Sequence, residues 1–112
     1  GTLVENSGEY CGELYGNTNA ISDNVEYINQ LYDSGKVQII LTTARSLGSI
    51  ATTYKQLDDI GLKYHQVVFG LLHTKRIVIN DYAKTNPYPT AIGINLKRNS
   101  SELKEMLKGV LS

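Results

Sequence analysis

The chain has 112 residues, 41% of them apolar and 20% charged, which fits one small globular domain (1–112) with a single core and leaves no room for a second. Eleven basic residues balance eleven acidic ones and no basic block stands out, so the composition argues against a nucleic-acid or membrane surface, and no apolar stretch approaches the roughly 20 residues that span a bilayer. The single cysteine, Cys11, excludes an intrachain disulfide and, with no signal peptide visible, favours a reducing, cytoplasmic location.

The first eighteen residues are rich in Gly, Asn, Glu and Tyr and show no sustained period beyond a possible hairpin around Glu9 to Tyr15, so they are expected to form a loop or flap. From Asn19 onward helix and strand alternate. Val25, Ile28, Leu31 and Tyr32 recur at helical spacing, with Ser22 or Asp23 available as a cap and Gly35 as a stop. Residues 37 to 42 predict a buried strand, and Ile50, Tyr54, Leu57 and Ile60 predict a helix closed by Gly61. Val67-Val68-Phe69 predicts a second strand, completing a strand-helix-strand unit, and a third is expected at 77 to 80. A polar, proline-bearing loop at 84 to 89, a fourth strand near 91 to 94 and a last helix near 101 to 111 follow, the helix opened by a capping box of Asn99 with Glu102. This alternation predicts an α/β fold with a mostly parallel sheet and helices on its faces.

Two of these strands end abruptly in polar residues. Val37-Gln38-Ile39-Ile40-Leu41 stops at Thr42-Thr43-Ala44-Arg45, and Ile77-Val78-Ile79 stops at Asn80-Asp81. Ligands of open α/β sheets bind beyond the carboxyl ends of the strands, so a hydroxyl pair and a carboxylate placed there are candidates for a site.

These residues resemble motifs of the haloacid dehalogenase-like phosphatase superfamily, in order and across essentially the whole chain. Gly1-Thr2-Leu3-Val4 resembles the tail of its first motif, whose two aspartates immediately precede Gly-Thr. Thr43-Ala44-Arg45 resembles the second motif, whose hydroxyl binds the transferring phosphoryl group, and Ile79-Asn80-Asp81 resembles the fourth, whose carboxylates hold magnesium. Phe69-Gly70-Leu71-Leu72-His73, Asn80-Asp81-Tyr82-Ala83 and Asn86-Pro87-Tyr88-Pro89-Thr90-Ala91 are similar to a small capless subgroup found beside sugar-nucleotide and surface (capsular) polysaccharide synthesis.

The resemblance implies a three-layer α/β/α, Rossmann-like fold and phosphoryl transfer through an aspartyl-phosphate that is then hydrolysed, on a substrate such as a sugar phosphate. That chemistry uses a carboxylate nucleophile, a nearby acid-base, Mg²⁺, a hydroxyl donor and a basic side chain. On the matching positions Thr43 is the phosphate-binding hydroxyl with Thr42 as a substitute, and Lys75 or Arg76 is the basic partner. Arg45 and His73 are candidate substrate contacts, while Asp81, with Asn80 beside it, would hold the metal. Asn80 stands where many relatives carry an acid, and Leu71 and Leu72 stand where many carry the third-motif lysine. Both first-motif aspartates would lie before Gly1, and so would the central strand that carries them. The sheet is therefore expected to have a gap between the strand at 37 to 42 and that at 77 to 80, unless another segment or a second copy fills it. Only a short flap fits between the first motif and the helix near Asn24, so a covering subunit, and hence a homo-oligomer, is a further expectation.

Plainer readings stand beside these. Thr42, Thr43 and the Asn80-Asp81 pair also suit a strand end and a turn, Arg45 a surface pair, and Lys75 and Arg76 a solvated loop. His73 is a lone loop histidine, His65 has no partner in the sequence, Asp58-Asp59 reads as a solvated helix face, and the tyrosines read as packing residues. Two other classes of function remain: a catalytically incomplete relative that binds a phosphorylated ligand or a partner enzyme, and a receiver-like signalling domain phosphorylated on Asp81.

Overall fold

The computed structural model of the chain describes residues 2–4, 20–85 and 90–110. Along them run α1 (Ser22–Ser34), β1 (Ile40–Thr42), a 3₁₀ turn (Leu47–Ser49) leading into α2 (Ile50–Asp59), β2 (Gln66–Val68) and α3 (Leu103–Lys108). The fold is mixed α/β. β1 and β2 pair in parallel with Ile40 opposite Gln66, Leu41 opposite Val67 and Thr42 opposite Val68. The expected hairpin at Glu9 to Tyr15 and the proline-bearing residues 86 to 89 lie outside the described residues.

The helical periods of the sequence place α1 and α2 correctly. Gly35 ends α1 at φ 70°, in the left-handed region that glycine enters without a Cβ penalty, and its N–H donates to the Tyr32 carbonyl at 3.2 Å. The start of α1 differs from expectation: neither Ser22 nor Asp23 caps it, because the capping position falls on Ile21, a buried residue with no side-chain oxygen. The entry is anchored through the backbone instead, by Ile21 N–H to Leu3 O at 2.7 Å and an antiparallel bridge between Val4 and Ala20.

The core gathers on one side of the sheet. Val25 from α1, Leu57 from α2 and Leu62 after it form its buried centre, and Ile28, Ile60, Tyr64 and the paired Leu41 and Val67 pack against them. Successive strand residues face opposite sides, so both helices cover the face that carries Leu41 and Val67. Ile40, Thr42 and Gln66, on the other face, are exposed. Among the described residues this makes two layers.

Polar side chains tie the layers together. Asn29 donates to Gly61 O at 2.9 Å and accepts from Lys63 N–H at 2.7 Å, fastening α1 to the turn after α2, and Lys63 also pairs with Asp33. His65 has a partner that the sequence did not reveal: its Nδ1 accepts the Ile39 N–H at 2.9 Å, and its ring stacks on Tyr32 with centroids 4.6 Å apart. Asn24 is completely buried. Its Nδ2 donates to Thr2 O and Ser100 O, both at 2.7 Å, and its Oδ1 faces the Leu103 N–H at 3.4 Å, so one side chain joins the amino-terminal segment, α1 and α3.

Three expectations change in the structure. The apolar run at 77 to 79 joins no strand among the described residues, and Ile77, Val78 and Ile79 are 79%, 78% and 93% exposed. A segment apolar on both sides is suited to the middle of a covered sheet, and nothing described here supplies it with a strand on either edge. Residues 91 to 94 likewise form no ladder. The capping box at α3 is replaced by Ser100, whose hydroxyl accepts the Glu102 N–H at 3.1 Å, while Asn99 adopts a left-handed φ of 62° and α3 spans only six residues.

Among the described residues the sheet has two strands, so the gap expected between strands at 37 to 42 and 77 to 80 does not appear as such and β1 has one unpaired edge. Parallel pairing directs the peptide groups of Ile39, Leu41 and Thr43 toward β2 and those of Ile40 and Thr42 the other way, where no described strand lies. Ile40 on β1 is 49% exposed, whereas Ile39 beside it is buried. No helix among the described residues is long and apolar enough to cross a membrane.

Replacing Asn24 with Ala strips partners from two carbonyls and a buried N–H and is expected to destabilise the fold by about 2–3 kcal/mol in urea unfolding. Asn24→Asp, which turns a carboxylate toward two carbonyl oxygens, is expected to cost more.

Candidate functional site

At the carboxyl end of β1 the chain turns sharply, and the residues that leave β2 hold the turn. Thr43 N–H donates to Val68 O at 3.0 Å, Leu71 N–H donates to Thr43 O at 3.1 Å, and Gly70 N–H donates to Arg45 O at 2.9 Å. Gly70 makes this possible with φ 72°, a conformation that turns the chain back across the end of β1 and that a Cβ would strain. Thr43 is thus held at both its N–H and its C=O. Its Oγ1 accepts the Arg45 N–H at 3.0 Å, a short-range loop that a hydroxyl two residues before an amide readily closes. A threonine hydroxyl has one proton to donate and two lone pairs, so the Thr43 proton remains available to a ligand oxygen.

Arg45 turns inward. Its Nη1 donates to Thr53 Oγ1 at 3.1 Å and to Gln56 Oε1 at 2.9 Å, both on α2 and both buried. Thr42 is exposed beside Thr43. On the other side of the turn, Phe69 packs edge-on against Tyr54 of α2 with centroids 5.5 Å apart, which fixes where the chain leaves β2.

The structure therefore brings together Thr42, Thr43, Arg45 and the backbone of residues 68 to 71. The other candidates are not drawn in. His73, Lys75, Arg76 and Asp81 are exposed along an irregular stretch, and no hydrogen bond or ion pair joins them to the β1 end among the described residues. Asn80 is exposed as well, and its Nδ2 donates to Thr90 Oγ1 at 2.7 Å. Two residues that matter to the turn, Thr53 and Gln56, escaped the sequence analysis because their contacts with Arg45 span eight and eleven residues and leave no local pattern.

Among the described residues no three His, Cys, Asp or Glu side chains come close enough to hold a metal ion. Magnesium uses oxygen ligands, commonly one or two carboxylates with substrate phosphate and several waters. A single exposed carboxylate, Asp81, beside an amide engaged with Thr90 does not by itself make a resident site. An open cleft of about 370 Å³ lies elsewhere, between α1 and residues 101 to 105, and Asp23, Glu26, Glu102 and Glu105 give it an acidic lining unsuited to an anion. The Lys55 ammonium is raised above its usual range by its hydrogen bond to Asp59 and the charge beside it, and the Tyr64 phenol is raised by burial and then by Tyr54 and Asp58. Lys55 is a surface group on α2, and Tyr64 precedes β2, at the end of the strand opposite Val68.

Comparison of the chain with protein-family models, with curated proteins and with solved structures returns no match.

Gly70→Ala is expected to lower stability by about 1–2 kcal/mol, the cost of a left-handed residue with a Cβ, and to loosen the Leu71 and Arg45 contacts. Urea unfolding and amide exchange at Leu71 would check both effects; unchanged exchange would remove Gly70 from the account of the turn.

Proposed function

We propose that this chain is a haloacid dehalogenase-like hydrolase domain of the three-layer, Rossmann-like kind, acting as a magnesium-dependent phosphatase on a phosphorylated small molecule such as a sugar phosphate. The observation that carries the proposal is the anchoring of Thr43: a hydroxyl at the carboxyl end of a parallel strand, fixed through its backbone by β2 and through its oxygen by the Arg45 N–H, with its proton free to donate. A preorganised donor of this kind stabilises charge that develops on a phosphoryl oxygen without first having to reorient. In this reading Thr43 binds the transferring group, Thr42 lines the same edge, and Lys75 or Arg76 and His73 approach with the ligand. The nucleophilic aspartate is the one that the resemblance places before Gly1. Magnesium enters through the same resemblance, with Asp81 as its ligand, as a requirement to be measured.

A second reading has its own support. The described residues offer an anchored hydroxyl donor at the β1 end and surface cations farther along the chain, with no carboxylate joined to that end among them, a set suited to holding a phosphorylated ligand without turning it over.

The test is phosphate release from a panel of sugar phosphates and other phosphomonoesters by the natural gene product, with magnesium and with a chelator. The expected result is release that disappears with the chelator and falls about a hundredfold in Thr43→Val, the usual loss for one oxyanion donor. A rate indifferent to the chelator would overturn the magnesium-dependent reading. Binding of a sugar phosphate with no phosphate released would select the second.

A further inference from the structure

We infer that Arg45 is a positioning residue that sets the Thr43 hydroxyl for its ligand and does not itself touch the phosphate; this rests on the proposed role of Thr43 in binding a phosphoryl group. A cation two residues from a phosphate-binding hydroxyl would ordinarily be assigned to the anion, and the geometry points away from that. The Arg45 guanidinium donates through one nitrogen to Thr53 Oγ1 and Gln56 Oε1, and those two side chains are only 5% and 3% exposed. Withdrawing the guanidinium would break both of these contacts to buried side chains, so the structure holds it against α2.

The same residue reaches the strand end through its backbone. Its N–H donates to Thr43 Oγ1 at 3.0 Å and its C=O accepts from Gly70 N–H at 2.9 Å. Arg45 is thereby fixed at three points, by α2, by Thr43 and by the exit of β2, and the N–H that occupies one Thr43 lone pair is fixed with it. The accepted N–H removes one of the three staggered positions of the hydroxyl proton, so an anionic oxygen meets a donor with fewer orientations to search. Lysine fits this place less well, because its ammonium sits on a flexible chain one atom shorter than the path to Nη1, the single nitrogen that donates to both Thr53 and Gln56.

The test titrates inorganic phosphate into the natural protein and into variants of Arg45 and Gln56, following the Thr43, Arg45, Gly70 and Leu71 amides by NMR, with urea unfolding to confirm that each variant is folded. A residue that binds the anion through charge keeps most of its effect in Arg45→Lys, and Gln56→Ala would free its guanidinium and leave binding equal or tighter. A positioning residue behaves differently: Arg45→Lys and Gln56→Ala each weaken phosphate binding by about tenfold, the double variant is little worse than either, and Gln56→Glu, which keeps an acceptor, restores binding. Unchanged or tighter binding in Gln56→Ala overturns the inference.

If the unsubstituted protein takes up no phosphate, the proposed function fails and the positioning claim is decided by exchange of the Arg45 amide. An acceleration of about tenfold in Gln56→Ala at matched global stability supports it. An unchanged rate rejects it.

Discussion

The arrangement at the strand ends depends on the parallel register of β1 and β2. With Leu41 opposite Val67 both side chains enter the core that Val25 and Leu57 complete, and the same register sets Thr43 N–H against Val68 O and Thr43 O against Leu71 N–H. A slip of one residue would carry Ile40 to the core side and Leu41 to the solvent side, and would move the Thr43 backbone away from Val68 O and Leu71 N–H. Burial of the core face thus selects the geometry of the turn, although the two lie at different levels of the structure.

Around this short sheet, polar side chains do much of the joining that longer ladders do in larger domains. Asn24, Asn29, His65 and the Arg45–Gln56 pair each connect elements that are distant in sequence, by 76 residues in the case of Asn24 and Ser100. Each is satisfied, and no buried side-chain nitrogen or oxygen among the described residues lacks a hydrogen-bond partner. Such groups stabilise modestly when paired and cost more when orphaned, so they specify which segments meet more than they add to the total stability. The consequence for the site is rigidity at Thr43 and Arg45. The stretch from 73 to 81, which carries the other candidate side chains, is exposed throughout and has no comparable strut to the β1 end among the described residues.

The open edge of β1 and the exposed run at 77 to 79 belong together physically. One is a strand with an unpaired row of peptide groups, and the other is an apolar segment with neither a pairing partner nor a covering layer among the described residues. Where nothing pairs with an edge, solvent keeps its polar groups hydrated, and side chains such as Ile79 stay in water because burial would need a neighbour on which to pack.

By itself the sequence determined the elements whose signals are local. Helical spacing marked α1 and α2, Gly35 and Gly61 marked where they stop, and the short apolar runs marked β1 and β2, because periodicity and glycine conformation act over a few residues. It also marked Thr42 and Thr43 at a strand end. Only the tertiary structure decided that Ile77-Val78-Ile79 forms no strand, that His65 serves the Ile39 amide, that Asn24 joins three segments, and that Arg45 points into α2. Those outcomes depend on partners between 8 and 79 residues away, or on the lack of a described one, and hydrogen bonding and burial at that separation leave no periodic trace in the chain.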